Sequence, residues 1–220
     1  MIYQTSIYKG IFFLKRSLFQ LHNTEAIYGL RIRLVWLFFL SAVVFCVSGL
    51  FGIGSHVLSP ELVRSSSLHY ETLKSYFIIG RFFLGLLYAA AVIFLPALLF
   101  WVFSDTFYRK FIVVQTFIFP ILLVEQISYI ILVVFFNLPW FSSPLSLGVI
   151  AQYIMKSGFL IYLCGSISFF KIWIAFMQYR GVRALTMLSR VKSLLIVICM
   201  NLLFWSLTAF FASVNFNTYL

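Results

Sequence analysis

Long apolar runs separated by short polar segments dominate the chain. A helix needs about 20 consecutive apolar residues to cross the hydrocarbon core of a bilayer. Five stretches reach this length, at residues 34–54, 76–103, 111–136, 149–177 and 193–213. The pattern therefore predicts an all-α integral membrane protein with five transmembrane helices.

The fourth apolar stretch, 149–177, is longer than one crossing needs. Either the helix is tilted, or it is broken near the segment "LCGS", where Gly165 weakens a helix. On the side opposite the N-terminus, residues 55–75 and 137–148 are predicted to form short loops, because prolines interrupt both segments.

The first 29 residues have a different pattern. Apolar residues recur there at spacings of four and three, which lines one face of a helix; they are Ile7, Ile11, Leu14, Leu18 and Leu21. Lys9, Arg16 and Gln20 fall on the other side. This predicts an amphipathic helix, either lying on the inner leaflet or packed under the bundle or against a partner. The expected organisation is an N-terminal helix in 1–29, a membrane domain in 30–213 and a short external tail in 214–220.

The composition agrees with a membrane protein. Hydrophobic residues make up 63% of the 220 residues and charged residues 10%, whereas soluble domains have roughly 45–50% and about 25%. A soluble domain of this size could not bury so many apolar side chains. No soluble module of any size is predicted.

Lysine and arginine are distributed unequally between the two sides of the predicted bundle. Eleven cations flank the spans on the side of the N-terminus, and only Arg64 and Lys74 flank them on the other side. Because positive loops stay in the cytoplasm, this predicts a cytoplasmic N-terminus and an external C-terminus. The same cations account for the net charge of +11 through contact with anionic lipid, so nucleic acid is not an expected partner.

Sequence signatures of catalysis are missing from the chain. It contains no GxxxxGK[ST] phosphate-binding loop and no GxSxG nucleophile motif. Its three cysteines lie inside apolar runs and its three histidines are scattered, so no metal-ligand spacing occurs. We expect neither enzymatic activity nor a cofactor.

One carboxylate, Glu125, falls near the middle of the third apolar run. An ionised side chain there costs at least ~2.5–3.5 kcal/mol, so it is either paired or functional. Arg81 and Lys156 are the candidate partners in neighbouring runs, while Lys171 is expected to extend toward the headgroups. The alternatives are an internal ion pair, a protonated Glu125 bonded to the backbone, or a proton or substrate pathway.

A basic segment follows the fourth run, in "FFKIWIAFMQYRGVRALTMLSRVK". Its cations are Arg180, Arg183, Arg190 and Lys192, and Gly181 is expected to end or bend the helix as it leaves the membrane. The cations either anchor the topology or, together with Trp173 and Gly181, dock a partner or anionic lipid.

This segment resembles the fourth span and following loop of the Yip (Ypt-interacting protein) domain family. The family pattern is Asp-x-Phe-x-x-Trp, an apolar turn, Gly and then a basic segment; here Ser168, Phe170, Trp173 and Gly181 are followed by "LSRVKSLL". Pro120 in the third run also fits the family, and the likeness covers about residues 30–213. Ser168 departs from the pattern, which has aspartate at this position.

The resemblance implies a five-span membrane domain of the shorter bacterial branch, located in the plasma membrane. Eukaryotic relatives act in membrane traffic with small GTPases, and bacterial relatives commonly act beside ABC-type exporters. The expected function is a non-enzymatic accessory protein that assembles with or modulates such a transport machine. Two alternatives remain: a small permease for an ion or hydrophobic solute that uses Glu125, and an immunity or lipid-organising protein.

Overall fold

The computed structural model describes residues 2–55 and 66–214, so Arg64 and residues 215–220 of the predicted tail lie outside the described residues. The described chain is almost entirely helical. Its α-helices are α1 (Ile7–Phe12), α2 (Leu14–His22), α3 (Leu30–Leu50), α4 (Ser67–Val102), α5 (Tyr108–Phe136), α6 (Gly148–Ile154), α7 (Gly158–Gly165), α8 (Phe169–Leu185) and α9 (Arg190–Ser213). A 3₁₀ turn spans Trp140–Ser142.

Four of these helices, α3, α4, α5 and α9, are long and apolar enough to cross a membrane. The predicted helical class is thus confirmed, with four candidate membrane-spanning helices among the described residues. Helix α4 begins at Ser67, well before the predicted position 76, and residues 67–75 are helix rather than loop. No glycine or proline interrupts that segment, which leaves nothing to stop the helix.

Helix α5 is the centre of the bundle, because α1, α3, α4 and α8 all pack against it. Three of its phenylalanines, Phe111, Phe117 and Phe119, are fully buried. Helices α3 and α4 pack closely beside it, where the Ser41 hydroxyl donates a 2.7 Å hydrogen bond to the Gly85 carbonyl. This packing places the middle of α5, including Glu125, away from lipid.

The fourth apolar stretch is three helices, α6, α7 and α8, rather than one. The predicted alternative of a break near Gly165 is confirmed, since α7 ends at that residue. A short antiparallel bridge joins the segment before α6 to the break between α7 and α8: the Leu147 N–H donates to Ile167 O (3.0 Å), and the Phe169 N–H donates to Leu145 O (2.9 Å). Non-helical backbone within a membrane protein needs such internal partners.

The N-terminal segment is two helices, not one, because Phe13 leaves the helical conformation (φ −120°, ψ 47°). Strands β1 (Ile2–Gln4) and β2 (Ala26–Tyr28) pair in parallel around α1 and α2, an addition that the all-α expectation did not include. The predicted apolar face is turned to the bundle, with Leu18 and Leu21 buried in the core. Of the two interpretations, packing under the bundle describes this face.

Three segments predicted to be cytoplasmic meet at one end of the bundle. The Lys110 ammonium group donates a 2.7 Å hydrogen bond to the His22 carbonyl at the end of α2. The Thr106 hydroxyl donates at 2.7 Å to Leu185 O at the end of α8. We call this the basic end, because the segments that meet there carry most of the flanking cations.

Candidate intramembrane polar site

Glu125 is fully buried in the middle of α5. The Tyr129 hydroxyl, one turn further along the same helix, donates to Glu125 Oε1 at 2.7 Å. The Ser168 hydroxyl donates to the same oxygen from the start of α8. Glu125 Oε2 has no hydrogen-bond partner within 2–55 and 66–214, so the carboxylate retains an unused acceptor.

The ionic partner of Glu125 is Lys171, whose Nζ lies 3.9 Å from Oε1. The expectation that Lys171 extends toward the headgroups is therefore wrong. Lys171 lies in the first turn of α8, and side chains of a helix point toward its N-terminus. That direction leads to Glu125 and away from the headgroups beyond the far end of α8.

The Lys171–Glu125 contact is an ion pair without a direct hydrogen bond, since 3.9 Å exceeds the usual N–H···O range. Two charges at this distance attract by about 4 kcal/mol at an effective dielectric constant of about 20. The start of α8 adds its positive dipole end beside the carboxylate. The Lys171 ammonium group thus faces the carboxylate without a hydrogen bond to it, and its donors can reach another acceptor.

Arg81, a predicted partner of Glu125, is bound elsewhere. Its Nη2 donates to the Ile53 carbonyl at 2.9 Å and to the Ser48 hydroxyl at 3.1 Å. Because α3 and α4 are antiparallel neighbours, Arg81 faces the C-terminal end of α3 rather than α5. The predicted Arg81–Glu125 pair is wrong, and Arg81 instead fastens the segment that leaves α3.

Lys156, the other predicted partner, lies in the turn between α6 and α7 and is exposed. In a continuous fourth span it would have faced the bundle at depth. The break into short helices removes that geometry, and the predicted Lys156–Glu125 pair is wrong. Among the described cations, only Lys171 lies within 4.0 Å of the Glu125 carboxylate.

A second polar group lies deeper toward the basic end and joins α5, α8 and α9. Asn201 Nδ2 donates to Gln178 Oε1 at 2.8 Å, and Gln178 Nε2 donates to Gln115 Oε1 at 3.4 Å. All three side chains are buried. Gln115 Nε2 has no partner in the described part of the chain, so a donor remains available beside this group.

Two cavities lie on either side of Lys171. The inner cavity, about 320 Å³, includes Gln115, Gln178 and Asn201 in its wall. The outer cavity, about 700 Å³, includes Arg81, Tyr129 and Trp140. Three residues line both of them: Gln126, Lys171 and Thr208. The two cavities therefore adjoin at the side chain that pairs with Glu125.

The residues predicted to dock a partner or lipid do not all lie together on one surface. Gly181 is buried inside α8, where a Cβ atom would lie 2.7 Å from Val114 Cγ1. Gly181 does not end the helix, because α8 continues to Leu185, and the glycine allows close packing on α5. Trp173 is partly exposed on α8, and the Arg180 guanidinium lies over the Phe176 ring at 4.8 Å.

The remaining cations of that segment are at the surface of the basic end. Arg183 lies in the last turn of α8, and Arg190 and Lys192 lie in the first turn of α9; all three are exposed. Within the described ranges, no three His, Cys, Asp or Glu side chains cluster as a metal site requires.

Comparison with known proteins returns no match: no family model fits the chain, and no curated protein or solved structure is significantly similar to it. The resemblance to the Yip family stays a prediction.

Sequence reasoning missed Ser168, Tyr129, Lys171 and Gln178 as parts of this site. The signal for them is a polar stripe: Ser168, Lys171 and Gln178 are spaced by three and seven, which places them on one face of α8. Within one long apolar run, Lys171 lies near the inner end and is expected to reach the headgroups. The N-cap at Ser168 instead places it in the first turn of a new helix, beside Glu125.

Proposed function

We propose that this chain is a small multi-span membrane permease in which Lys171 and Glu125 form the central binding and coupling site. One observation carries the proposal: two cavities meet at Lys171, Gln126 and Thr208, directly beside a fully buried carboxylate. Intramembrane ionisable residues most often mark transport pathways or proton relays. Broken helices at mid-depth are a further feature of transporter sites.

The charges favour a small anion as the solute. Arg81 and Lys171 both line the outer cavity, whereas the one described carboxylate beside it, Glu125, is already paired with Lys171. A solute anion at Lys171 would compete with Glu125 for the ammonium group. Protonation of Glu125 would remove that competitor, so proton binding and anion binding would favour each other.

Reconstituted liposomes test the proposal, with chloride, acetate and phosphate as probes and a pH dye trapped inside. We expect at least one probe to enter together with protons, faster than into protein-free liposomes. Lys171→Gln should abolish the flux, and Lys156→Gln, which removes an exposed cation outside both cavities, should leave it unchanged. Equal flux with wild type and Lys171→Gln would contradict the proposal.

The five-span topology belongs to the same proposal. Helices α3, α4, α5 and α9 would each cross the membrane, and α6–α8 together would make the fourth crossing in pieces. The meeting of the cationic segments at one end supports a cytoplasmic N-terminus and an external C-terminus in a bacterial plasma membrane.

A second candidate is the accessory protein of a membrane transport machine, such as an ABC-type exporter, in line with the Yip-like pattern. The specific observation in its favour is the exposed surface around the α8–α9 loop. Met187 is 97% exposed there, between the exposed Arg183, Arg190 and Lys192. Gln at those three positions should then abolish co-purification of the partner without changing membrane insertion, since steering cations would be lost.

A further inference from the structure

A groove at the basic end combines exposed aromatic rings with cations. It lies between α1–α2 and α8 and has a volume of about 850 Å³, within the common range for small-ligand sites of about 300–1,000 Å³. Aromatic side chains from both sides line it; they are Phe12, Phe13, Phe19, Trp173 and Phe176. We call it the basic groove.

The rings of the basic groove are not turned into the protein core. Phe12 and Phe19 are 65% and 68% exposed, and Phe176 across the groove is 51% exposed. In contrast, Leu18 and Leu21 on the other face of α2 are buried. The N-terminal helices thus use their regular apolar face for the bundle and present a second apolar surface beside α8.

The charged side chains that line the groove are all basic. Lys15, Arg16 and Arg180 line it together with His22, and no aspartate or glutamate does. Arg180 lies over the Phe176 ring, which places a cation directly on the apolar wall. A ligand that is complementary to these walls needs an apolar part next to an anionic group.

We infer that the basic groove binds one anionic phospholipid of the inner leaflet. The phosphate of the headgroup would lie among Lys15, Arg16 and Arg180, and an acyl chain would lie along the exposed rings. The position supports this occupant, because the groove flanks α8 at the end of the bundle that carries the cations, where anionic lipid is concentrated. Charge complementarity excludes a neutral lipid as the preferred occupant.

The groove also joins the N-terminal helices to α8, the helix that carries Lys171. A lipid seated there would contact α1–α2 and α8 at once and hold them together. The inference does not depend on the proposed permease, since no residue that lines the groove lines either central cavity.

Native mass spectrometry of the delipidated full chain in detergent tests the inference, with phosphatidylglycerol and phosphatidylcholine of equal chain length as probes. We expect phosphatidylglycerol to be retained at least about tenfold more strongly. The triple variant Lys15→Gln/Arg16→Gln/Arg180→Gln should lower its affinity about 100-fold, because each basic residue contributes about a fivefold factor.

The matched control is Arg183→Gln/Arg190→Gln/Lys192→Gln, which removes the same charge from the same end but outside the groove. It should keep the affinity for phosphatidylglycerol within about threefold. An equal loss of phosphatidylglycerol affinity in both variants would show that the lipid is attracted to the basic end in general. That result would overturn the specific site. Glycerol phosphate binding as tightly as the lipid would also overturn it, by showing a plain phosphate site without an acyl chain.

Discussion

The Ser168 hydroxyl donates a hydrogen bond to the Glu125 carboxylate, and its oxygen also accepts the Lys171 N–H as the N-cap of α8. One small side chain therefore fixes where α8 begins and where the carboxylate of α5 lies. The same cap puts Lys171 in the first turn, from which its side chain reaches back to Glu125. The break in the fourth apolar stretch and the ion pair are thus one structural feature.

Removing the cation should destabilise the bundle more than removing the carboxylate. Lys171→Met leaves Glu125 buried and unpaired, which typically costs about 3–5 kcal/mol. Glu125→Gln keeps the shape and the hydrogen bonds, and the Lys171 side chain that it leaves unpaired is 19% exposed, so this variant should be tolerated. We expect the melting temperature in detergent, followed by tryptophan fluorescence, to fall sharply only for Lys171→Met.

The double variant Glu125→Gln/Lys171→Met is the internal check of that prediction. It should recover most of the lost stability, because no charge is then left unpaired. Lys156→Met should have little effect, since Lys156 is exposed in the α6–α7 turn. A drop for Lys156→Met equal to that for Lys171→Met would show that the ion pair is misassigned.

The dual role of Ser168 predicts a large effect for a small truncation. Ser168→Ala removes a hydrogen bond to a charged group and the N-cap of α8, together about 2–4 kcal/mol. Ser166→Ala is the matched control: Ser166 is equally buried, but its hydroxyl bonds only to Tyr162 O within α7. Thermal unfolding should separate the two variants clearly, and similar melting temperatures would contradict the role given to Ser168.

Two glycines that each begin a short helix provide a test of the break in the fourth apolar stretch. Gly148 and Gly158 are the first residues of α6 and α7, but a Cβ atom at Gly148 would lie 1.9 Å from Phe141 O. At Gly158 its closest contact would be Tyr162 Cε2 at 3.9 Å. Gly148→Ala should therefore destabilise by at least about 1–3 kcal/mol, whereas Gly158→Ala should be neutral or slightly stabilising.

The proposed topology is tested with single cysteines in a chain whose native Cys46, Cys164 and Cys199 are replaced by alanine. A cysteine at Ser157, in the exposed turn between α6 and α7, should react with a membrane-impermeant thiol reagent in intact cells. A cysteine at Arg183 should react only after the cells are opened. The reverse pattern would invert the proposed orientation.

The sequence predicted the helical membrane class and most span positions because apolar length is a strong, local signal. It also placed Glu125 inside the bundle. It did not predict the partner of Glu125, since pairing depends on where a broken helix restarts. If residues 149–177 formed one continuous helix, Lys156 would face α5; because the stretch is broken, Lys171 does. The break depends on the tertiary packing of Gly148 and Gly165 against Phe141.

The N-terminal segment illustrates a second limit of the sequence. The spacing of Leu14, Leu18 and Leu21 predicts an apolar face for any helical packing, but it does not say what the face packs against. The close approach of Gly10 to the Phe117 ring, which joins α1 to α5, has no counterpart in local periodicity. Long-range contacts of this kind are outside what a helical pattern contains.

The central claim is that the two cavities give a solute access to Lys171, and the accessibility of Thr208 tests it most directly. Thr208 and Phe210, two residues apart on α9, are both exposed, but only Thr208 lines the two cavities. In the cysteine-free background, Thr208→Cys and Phe210→Cys are treated with a small charged methanethiosulfonate reagent in reconstituted liposomes. We predict that the cysteine at 208 reacts, that the probe anion which is transported slows the reaction, and that the cysteine at 210 in the lipid stays unmodified. No reaction at either position would show a dry bundle and contradict the permease.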